Sequence, residues 1–155
     1  MKLKIISESP KETQEIASFF IKSVLKREPV SNKQAFVVSL EGDLGSGKTE
    51  FLKGVAKSLK LKEKVFSPTF LIMKSFPFSN KIKNSFKTLW HLDCYRLEKI
   101  KEIESLGFKE IISEPTNIIF IEWGNKVKKL LPLKHWKIKF KMLEQNTRIL
   151  EFHIP

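Results

Sequence analysis

Cysteine, arginine and long apolar runs are all scarce in this chain. The one cysteine, Cys94, permits no internal disulfide. No apolar run approaches the roughly 20 residues needed to span a bilayer, and the opening Met1–Ser7 is too short an apolar stretch for a signal peptide. Together these absences predict a cytoplasmic protein with no membrane contact. Arginine occurs only at 27, 96 and 148, among 29 basic residues. The formal net charge of +12 suggests a polyanionic partner, yet lysine meets phosphate as a point charge where bidentate recognition favours arginine. The charge leaves direct nucleic-acid contact open, as a salt-dependent surface effect without sequence readout. RRM, KH and zinc-knuckle patterns are absent, which argues against a dedicated RNA-binding module. There is no internal repeat and no sign of a second domain. At 155 residues and 41% hydrophobic, residues 1–155 read as a single domain with a sizeable core.

What is present centres on Gly42-Asp43-Leu44-Gly45-Ser46-Gly47-Lys48-Thr49, which matches the phosphate-binding loop pattern G-x-x-x-x-G-K-[ST]. The apolar run Ala35–Leu40 before it predicts a buried parallel strand. After it, Phe51, Leu52, Val55, Ala56 and Leu59 fall at helical spacing. Strand, glycine loop and helix are the context this motif needs. Glycines let backbone N–H groups turn inward around a triphosphate, and the start of the helix adds its positive end. Lys48 is expected to reach the β- and γ-phosphates, and the Thr49 hydroxyl to ligate Mg²⁺.

Along the rest of the chain, Lys2–Ser7 reads as an edge strand. Ser9, Pro10 and Glu12 signal a helix start, followed by a stripe of Ile16, Phe20 and Val24 with Phe19 and Leu25 beside it. Pro68 predicts that Ser67-Pro68-Thr69 is a loop feeding a strand from near Phe70, with a hairpin connection over residues 76–87. Thr88–Tyr95 predicts a strand whose alternation puts Leu89, His91 and Asp93 on one face and Trp90, Leu92 and Cys94 on the other. Residues 96–116 show helical spacing at Leu97, Ile100, Ile103 and Leu106, around Gly107. Asn117–Trp123 is a near-continuous apolar run of the buried parallel type, followed by a short helix that Pro132 stops. His135–Met142 and Arg148–Ile154 alternate as a half-exposed antiparallel hairpin.

Parallel βα units joined to such a hairpin predict an α/β three-layer sandwich, with a mixed, mainly parallel sheet. Ligands in these folds bind beyond the carboxyl ends of the parallel strands, where the glycine loop, Asp93 and Glu122-Trp123 all fall. Asp93 closes a strand and suits a carboxylate near Mg²⁺; alternatively it caps a turn or pairs with Arg96. Glu122 ends the most hydrophobic strand, where an isolated carboxylate is costly without a metal, a cation or a hydrogen-bonding role. Metal contact through water, orientation of the attacking water and a lysine ion pair all remain open for it. Thr69 is a loop hydroxyl positioned to sense a γ-phosphate as switch segments do. His91 reads as a packed, hydrogen-bonded histidine, and Cys94 as core.

Several stretches together carry a family resemblance. Thr13-Gln14-Glu15-Ile16-Ala17, the 42–49 loop, Ser67-Pro68-Thr69-Phe70, His91-Leu92-Asp93-Cys94-Tyr95-Arg96-Leu97 and Ile121-Glu122-Trp123-Gly124 occur in that order. The chain thereby resembles the bacterial TsaE (YjeE) family, ATPases of tRNA N6-threonylcarbamoyladenosine biosynthesis, over roughly residues 10 to 124. The resemblance implies a P-loop ATPase with ATP and Mg²⁺ as cofactors and TsaD-like and TsaB-like partners. It would act in modification of adenosine 37 of tRNAs reading ANN codons, reaching tRNA through the complex and resetting that complex by hydrolysis. It further implies that Gly42, Gly45, Ser46, Gly47, Lys48, Thr49 and Glu50 hold the phosphates, with Thr13 near the nucleotide and Trp123 lining the site. Thr49, Glu122 and Asp93 would stand by Mg²⁺, and Lys48, Asp93, Glu122 and Thr69 would support hydrolysis. Two departures stand out. Glu50 replaces a second Thr or Ser, adding an acid that should weaken phosphate binding, and a tyrosine common after S-P-T-F is missing, with Phe76 nearby.

Two rivals from other classes fit less well. A GTP-binding switch reads guanine with N-K-x-D, but Asn125-Lys126-Val127-Lys128 puts a lysine, which cannot accept those hydrogen bonds, where the acid belongs. A small-molecule kinase needs a basic lid supplying arginine to the transferred phosphoryl group, and the three arginines are scattered.

Overall fold

Two unbroken apolar runs set the middle of the molecule. Phe36–Glu41 (β2) and Asn117–Glu122 (β5) are buried almost throughout, as strands covered on both faces must be. In a computed structural model they pair in parallel, at the centre of a seven-stranded sheet ordered β1-β7-β6-β2-β5-β4-β3. The structure describes residues 1–26, 33–61, 72–78 and 85–155. The other strands are β1 (Lys2–Ser7), β3 (Met73–Pro77), β4 (Thr88–Asp93), β6 (Trp136–Met142) and β7 (Arg148–His153). Neighbours β6-β2, β2-β5 and β5-β4 run parallel, while β1-β7, β7-β6 and β4-β3 run antiparallel. The sheet is mixed and mainly parallel in direction, with β1 at an edge and β6-β7 as the antiparallel hairpin.

Alternation decides which side each residue serves. Helices α1 (Pro10–Leu25) and α2 (Lys48–Ser58) share one core with Val38, Leu40, Leu89, Ile118 and Phe120. Aromatic rings dominate that layer: Phe20 lies 5.9 Å from Phe51 and 5.4 Å from Trp136. The opposite face of the sheet, with Leu92, Cys94, Ile119 and Ile121, packs against α3 (Ile100–Glu104), α4 (Phe108–Ile112) and the 3₁₀ helix Gly124–Leu130. This is the expected three-layer sandwich. Among the described residues no helix is long and apolar enough to cross a membrane.

The start of α1 is set by chemistry visible in the sequence. Ser9 Oγ accepts from the Glu12 amide at 3.2 Å, Pro10 takes the first helical position, and Glu12 accepts from the Glu8 amide at 2.6 Å. Its buried stripe differs from the expected one. Thr13, Ala17, Phe20, Ile21 and Val24 face inward, whereas Phe19 is 77% exposed. At 100° per residue, the step from Phe20 back to Phe19 leaves the stripe that Phe20 and Val24 define. Residues 96–116 likewise resolve into two short helices, because Gly107 at φ +78° interrupts them. Leu106 follows the end of α3 and is exposed rather than buried. The expected loop Ser67-Pro68-Thr69 lies outside the described residues, as does the middle of the connection between β3 and β4.

Candidate active site

The carboxyl ends of β2, β5 and β4 lie side by side, so the segments leaving them converge. From β2 the chain enters the glycine loop, where Gly42, Gly45 and Gly47 all take positive φ. Gly47, at φ +106°, caps the N-terminus of α2 with no side-chain acceptor, leaving the first helical N–H groups for an anion. Lys48, 4% exposed, folds back over this loop. Its Nζ donates to the Gly42 carbonyl at 2.7 Å and the Asp43 carbonyl at 2.8 Å, approaches Ser46 Oγ at 3.5 Å, and stands 4.6 Å over the Trp123 ring. Burial lowers the Lys48 pKa, while the charges of Glu122, Asp93 and Asp43 act against that fall. The charges of the strand-end acids therefore reach the ammonium.

Cross-strand register makes Asp93 and Glu122 direct neighbours, the single fact that joins two residues 29 positions apart. Glu122 is 6% exposed, and its Oε1 lies 3.0 Å from His91 Nε2. His91 is packed and hydrogen-bonded as expected, but its partner could not be read from the sequence, because the contact crosses from β4 to β5. Glu122 thus takes His91 as a hydrogen-bonding partner, while its charge also acts on Lys48. Asp93 Oδ1 accepts from the Tyr95 amide at 2.9 Å, so one carboxylate oxygen caps the turn out of β4. Trp123 takes a left-handed conformation at φ +59° while its amide still donates to the Leu40 carbonyl at 3.0 Å. That twist lays its ring against Tyr95, with centroids 5.2 Å apart.

On the other side of the loop, Gln14 donates to Glu50 Oε2 at 2.9 Å and Lys53 Nζ lies 2.5 Å from Glu50 Oε1. Partial burial pushes the Glu50 pKa up, but hydrogen bonds from Lys53 and Gln14 and the charges of Lys53 and Arg148 bring it below the usual value. The acid that departs from the family pattern is thus neutralised within the fold. Thr13 is fully buried, its hydroxyl 2.8 Å from Ser7 Oγ and 3.3 Å from the Ser9 carbonyl; it adjoins the loop through its neighbour Gln14. Thr69 lies outside the described residues.

Gly42, Gly45, Ser46, Gly47, Lys48, Thr49, Glu50, Asp93, Glu122 and Trp123 are brought to one edge of the sheet. Among the described residues no cluster of three or more His, Cys, Asp or Glu could hold a metal unaided. The donors present still suit magnesium: Thr49, Asp93 and Glu122 offer hard oxygens, and Mg²⁺ characteristically takes one or two carboxylates plus phosphates and water. Arg148 was missed at the level of sequence. A Cβ placed on Gly47 would fall 2.6 Å from its Nη1, so its guanidinium lies against the loop. The signal was available: alternation puts Arg148 on the same inward face as Leu150 and Phe152.

Comparison with known proteins follows the same lines. The family described as "Threonylcarbamoyl adenosine biosynthesis protein TsaE" matches residues 7–150. The tRNA threonylcarbamoyladenosine biosynthesis protein TsaE of Rickettsia prowazekii is 32% identical over 146 residues, 94% of this chain and 90% of that protein. The protein of the same name from Bacillus subtilis is 33% identical over 150 residues, 97% of this chain and 84% of that one. The crystal structure of Bacillus subtilis YdiB superposes with a TM-score of 0.69 at 26% identity, covering 99% of this chain and 86% of that one.

Proposed function

The chain belongs to the TsaE family of threonylcarbamoyl adenosine biosynthesis proteins, and from that premise we propose that it binds and hydrolyses Mg-ATP in the cytoplasm to drive or reset a TsaD- and TsaB-like complex. That complex would modify adenosine 37 of tRNAs reading ANN codons. One observation carries the ATPase reading: Lys48, folded over a glycine loop at the start of α2, shares the carboxyl end of the sheet with Glu122 and Asp93, which end the next two strands. A cation, a row of helix-start N–H groups and two acids on one edge fit a triphosphate with its divalent ion.

Each residue then has a definable task. The amides of residues 45–50 hold the phosphates. Lys48 exchanges its loop carbonyls for phosphate oxygens, and the Trp123 ring lies against its ammonium. Thr49, Asp93 and Glu122 would hold Mg²⁺, directly or through water, and the ion would supply positive charge to the phosphate oxygens. His91 fixes the Glu122 carboxylate, leaving its other oxygen to orient water. The turn after Trp123 does not fit guanine readout, because Lys128 stands where an acceptor acid is needed and Lys126 is engaged with the carbonyls of Tyr95 and Leu97.

Titration calorimetry with Mg-ATP and Mg-GTP tests the reading. We expect ATP to bind in preference to GTP, and Lys48→Ala to abolish binding. Glu122→Ala and Asp93→Ala should retain most affinity yet hydrolyse slowly. A variant with full hydrolysis removes that residue from the mechanism, and a clear GTP preference refutes the assignment. Turnover by the isolated protein should be slow, so rapid hydrolysis without partners counts against partner dependence. Mass spectrometry of tRNA nucleosides after depletion of this protein tests the pathway itself.

A further inference from the structure

We propose that Arg148 is a nucleotide-binding residue, holding the α-phosphate end of the nucleotide from the side opposite the acids. The proposal rests on the ATP reading above and adds to it a side chain from the C-terminal hairpin. Arg148 opens β7 and is only 5% exposed, yet among the described residues its guanidinium is poorly served. Its Nη2 donates to the Asn146 carbonyl at 3.3 Å, and its buried Nε has no partner. Its cross-strand neighbours do not help: Met142 is apolar, and the Ser7 hydroxyl is engaged with Ser9 and Thr13 at 2.9 and 2.8 Å. The acid that senses its charge, Glu50, has both oxygens engaged by Lys53 and Gln14.

The guanidinium also lies against Gly47, the cap residue of the eleven-residue helix α2. A buried cation beside the positive end of a helix, with another cation at the next residue, is unfavourable without an anion between them. Gly47 matters here for space as much as for its φ of +106°, because a side chain would meet Nη1 at 2.6 Å and Cδ at 3.0 Å.

Sheet order says which part of the ligand Arg148 meets. The acids end β5 and β4, on one side of β2; Arg148 opens β7, beyond β6 on the other. If Mg²⁺ and the terminal phosphate lie by Glu122 and Asp93, as the reading above holds, the α-phosphate would lie toward β6 and β7. A guanidinium there offers forked donors to phosphate oxygens that ATP and ADP share. This differs from a cation serving only the transferred γ-phosphate, which would act on turnover and not on ADP.

The test compares wild type, Arg148→Lys and Arg148→Gln by calorimetry with ADP and with Mg-ATP, alongside steady-state hydrolysis and thermal melting without nucleotide. Arg148→Gln should weaken ADP and ATP alike by about tenfold to a hundredfold. Arg148→Lys, keeping the charge but not the fork, should recover part of that loss. KM should rise by more than kcat falls, and neither variant should melt far below wild type, because among the described residues the guanidinium makes one hydrogen bond, to Asn146, and its nearby acid, Glu50, is already held by Lys53 and Gln14. Unchanged ADP affinity, a fall in kcat with affinity intact, or loss of the fold in either variant overturns the proposal, the last by showing Arg148 to be structural. Failure of the wild type itself to bind ATP or ADP would sink both this proposal and the reading beneath it, whereas failure confined to the Arg148 variants leaves the ATP reading standing.

Discussion

Cys94 and Lys48 show how burial at the site rewrites acid-base behaviour, and they do so with opposite sign. Burial, with the nearby charge of Asp93, pushes the Cys94 thiol from 9.0 to about 12, opposed in part by Lys126. Above pH 9 the unfolded chain gives up this proton and the folded chain keeps it. Stability therefore falls as pH rises from 9 toward 12, with a limiting slope of about 1.4 kcal/mol per pH unit. Lys48 acts the other way: its depressed pKa means that the unfolded chain binds the extra proton, so stability rises between the lowered value and 10.5. Whole-protein alkaline denaturation mixes the two. Urea titrations at pH 8, 9 and 10 on wild type and Cys94→Ala separate them, since the alanine variant should lose stability less steeply with pH. In the folded protein the thiol should also resist a disulfide reagent until urea unfolds the chain, and rapid labelling under native conditions would falsify the assignment. At this scale the sequence was informative about types and poor about pairs. Lys48 and Glu122 were legible from the loop pattern and from a carboxylate ending an apolar strand. The contact of His91 with Glu122 and the place of Arg148 against Gly47 depend on strand register, which no local pattern encodes.

Among the elements, α1 and α2 form the layer that fixes the loop, and Gly54 is where they meet most closely. A Cβ on Gly54 would fall 2.3 Å from the Gln14 carbonyl oxygen and 2.6 Å from its Cα, both backbone atoms of α1 that cannot turn aside. In an exposed helix, glycine to alanine stabilises by about 1 kcal/mol. Here overpacking should win, and Gly54→Ala should lower stability by about 1–3 kcal/mol in urea titrations. Because Gln14 also holds Glu50, separating the helices should loosen the loop's far side, so ATP affinity should fall with stability. A Gly54→Ala protein more stable than wild type would mean that the helices do not touch there. Element types followed closely from periodicity: the edge strand, the capped helix, the central strands and the terminal hairpin all form where patterning puts them. Misplacement came at turns of a single residue. Phe19 sits one step off the buried stripe, and Leu106 lies just beyond a helix that ends sooner than its spacing suggests.

For the whole molecule, the question is what a net charge of +12 does when the site itself mixes cations and acids. Most lysines are exposed, and their field is screened over about 8–10 Å at 0.1–0.15 M salt. They can hasten the arrival of a polyanion, but they do not hold it once bound. Lys48 at 4% exposed and Arg148 at 5% are shielded from bulk ions, so contacts made there should be far less sensitive to salt. The two groups therefore act on different rate constants. In stopped-flow binding of a fluorescent ATP analogue, raising NaCl from about 50 to about 500 mM should slow association severalfold and leave dissociation nearly unchanged. Lys48→Ala should do the reverse in kind, since it removes a buried contact and not a distant field: dissociation should become too fast to retain nucleotide. If salt instead accelerates dissociation as strongly as it slows association, the phosphates are held by exposed lysines. The glycine loop would then be no more than a turn at the head of α2.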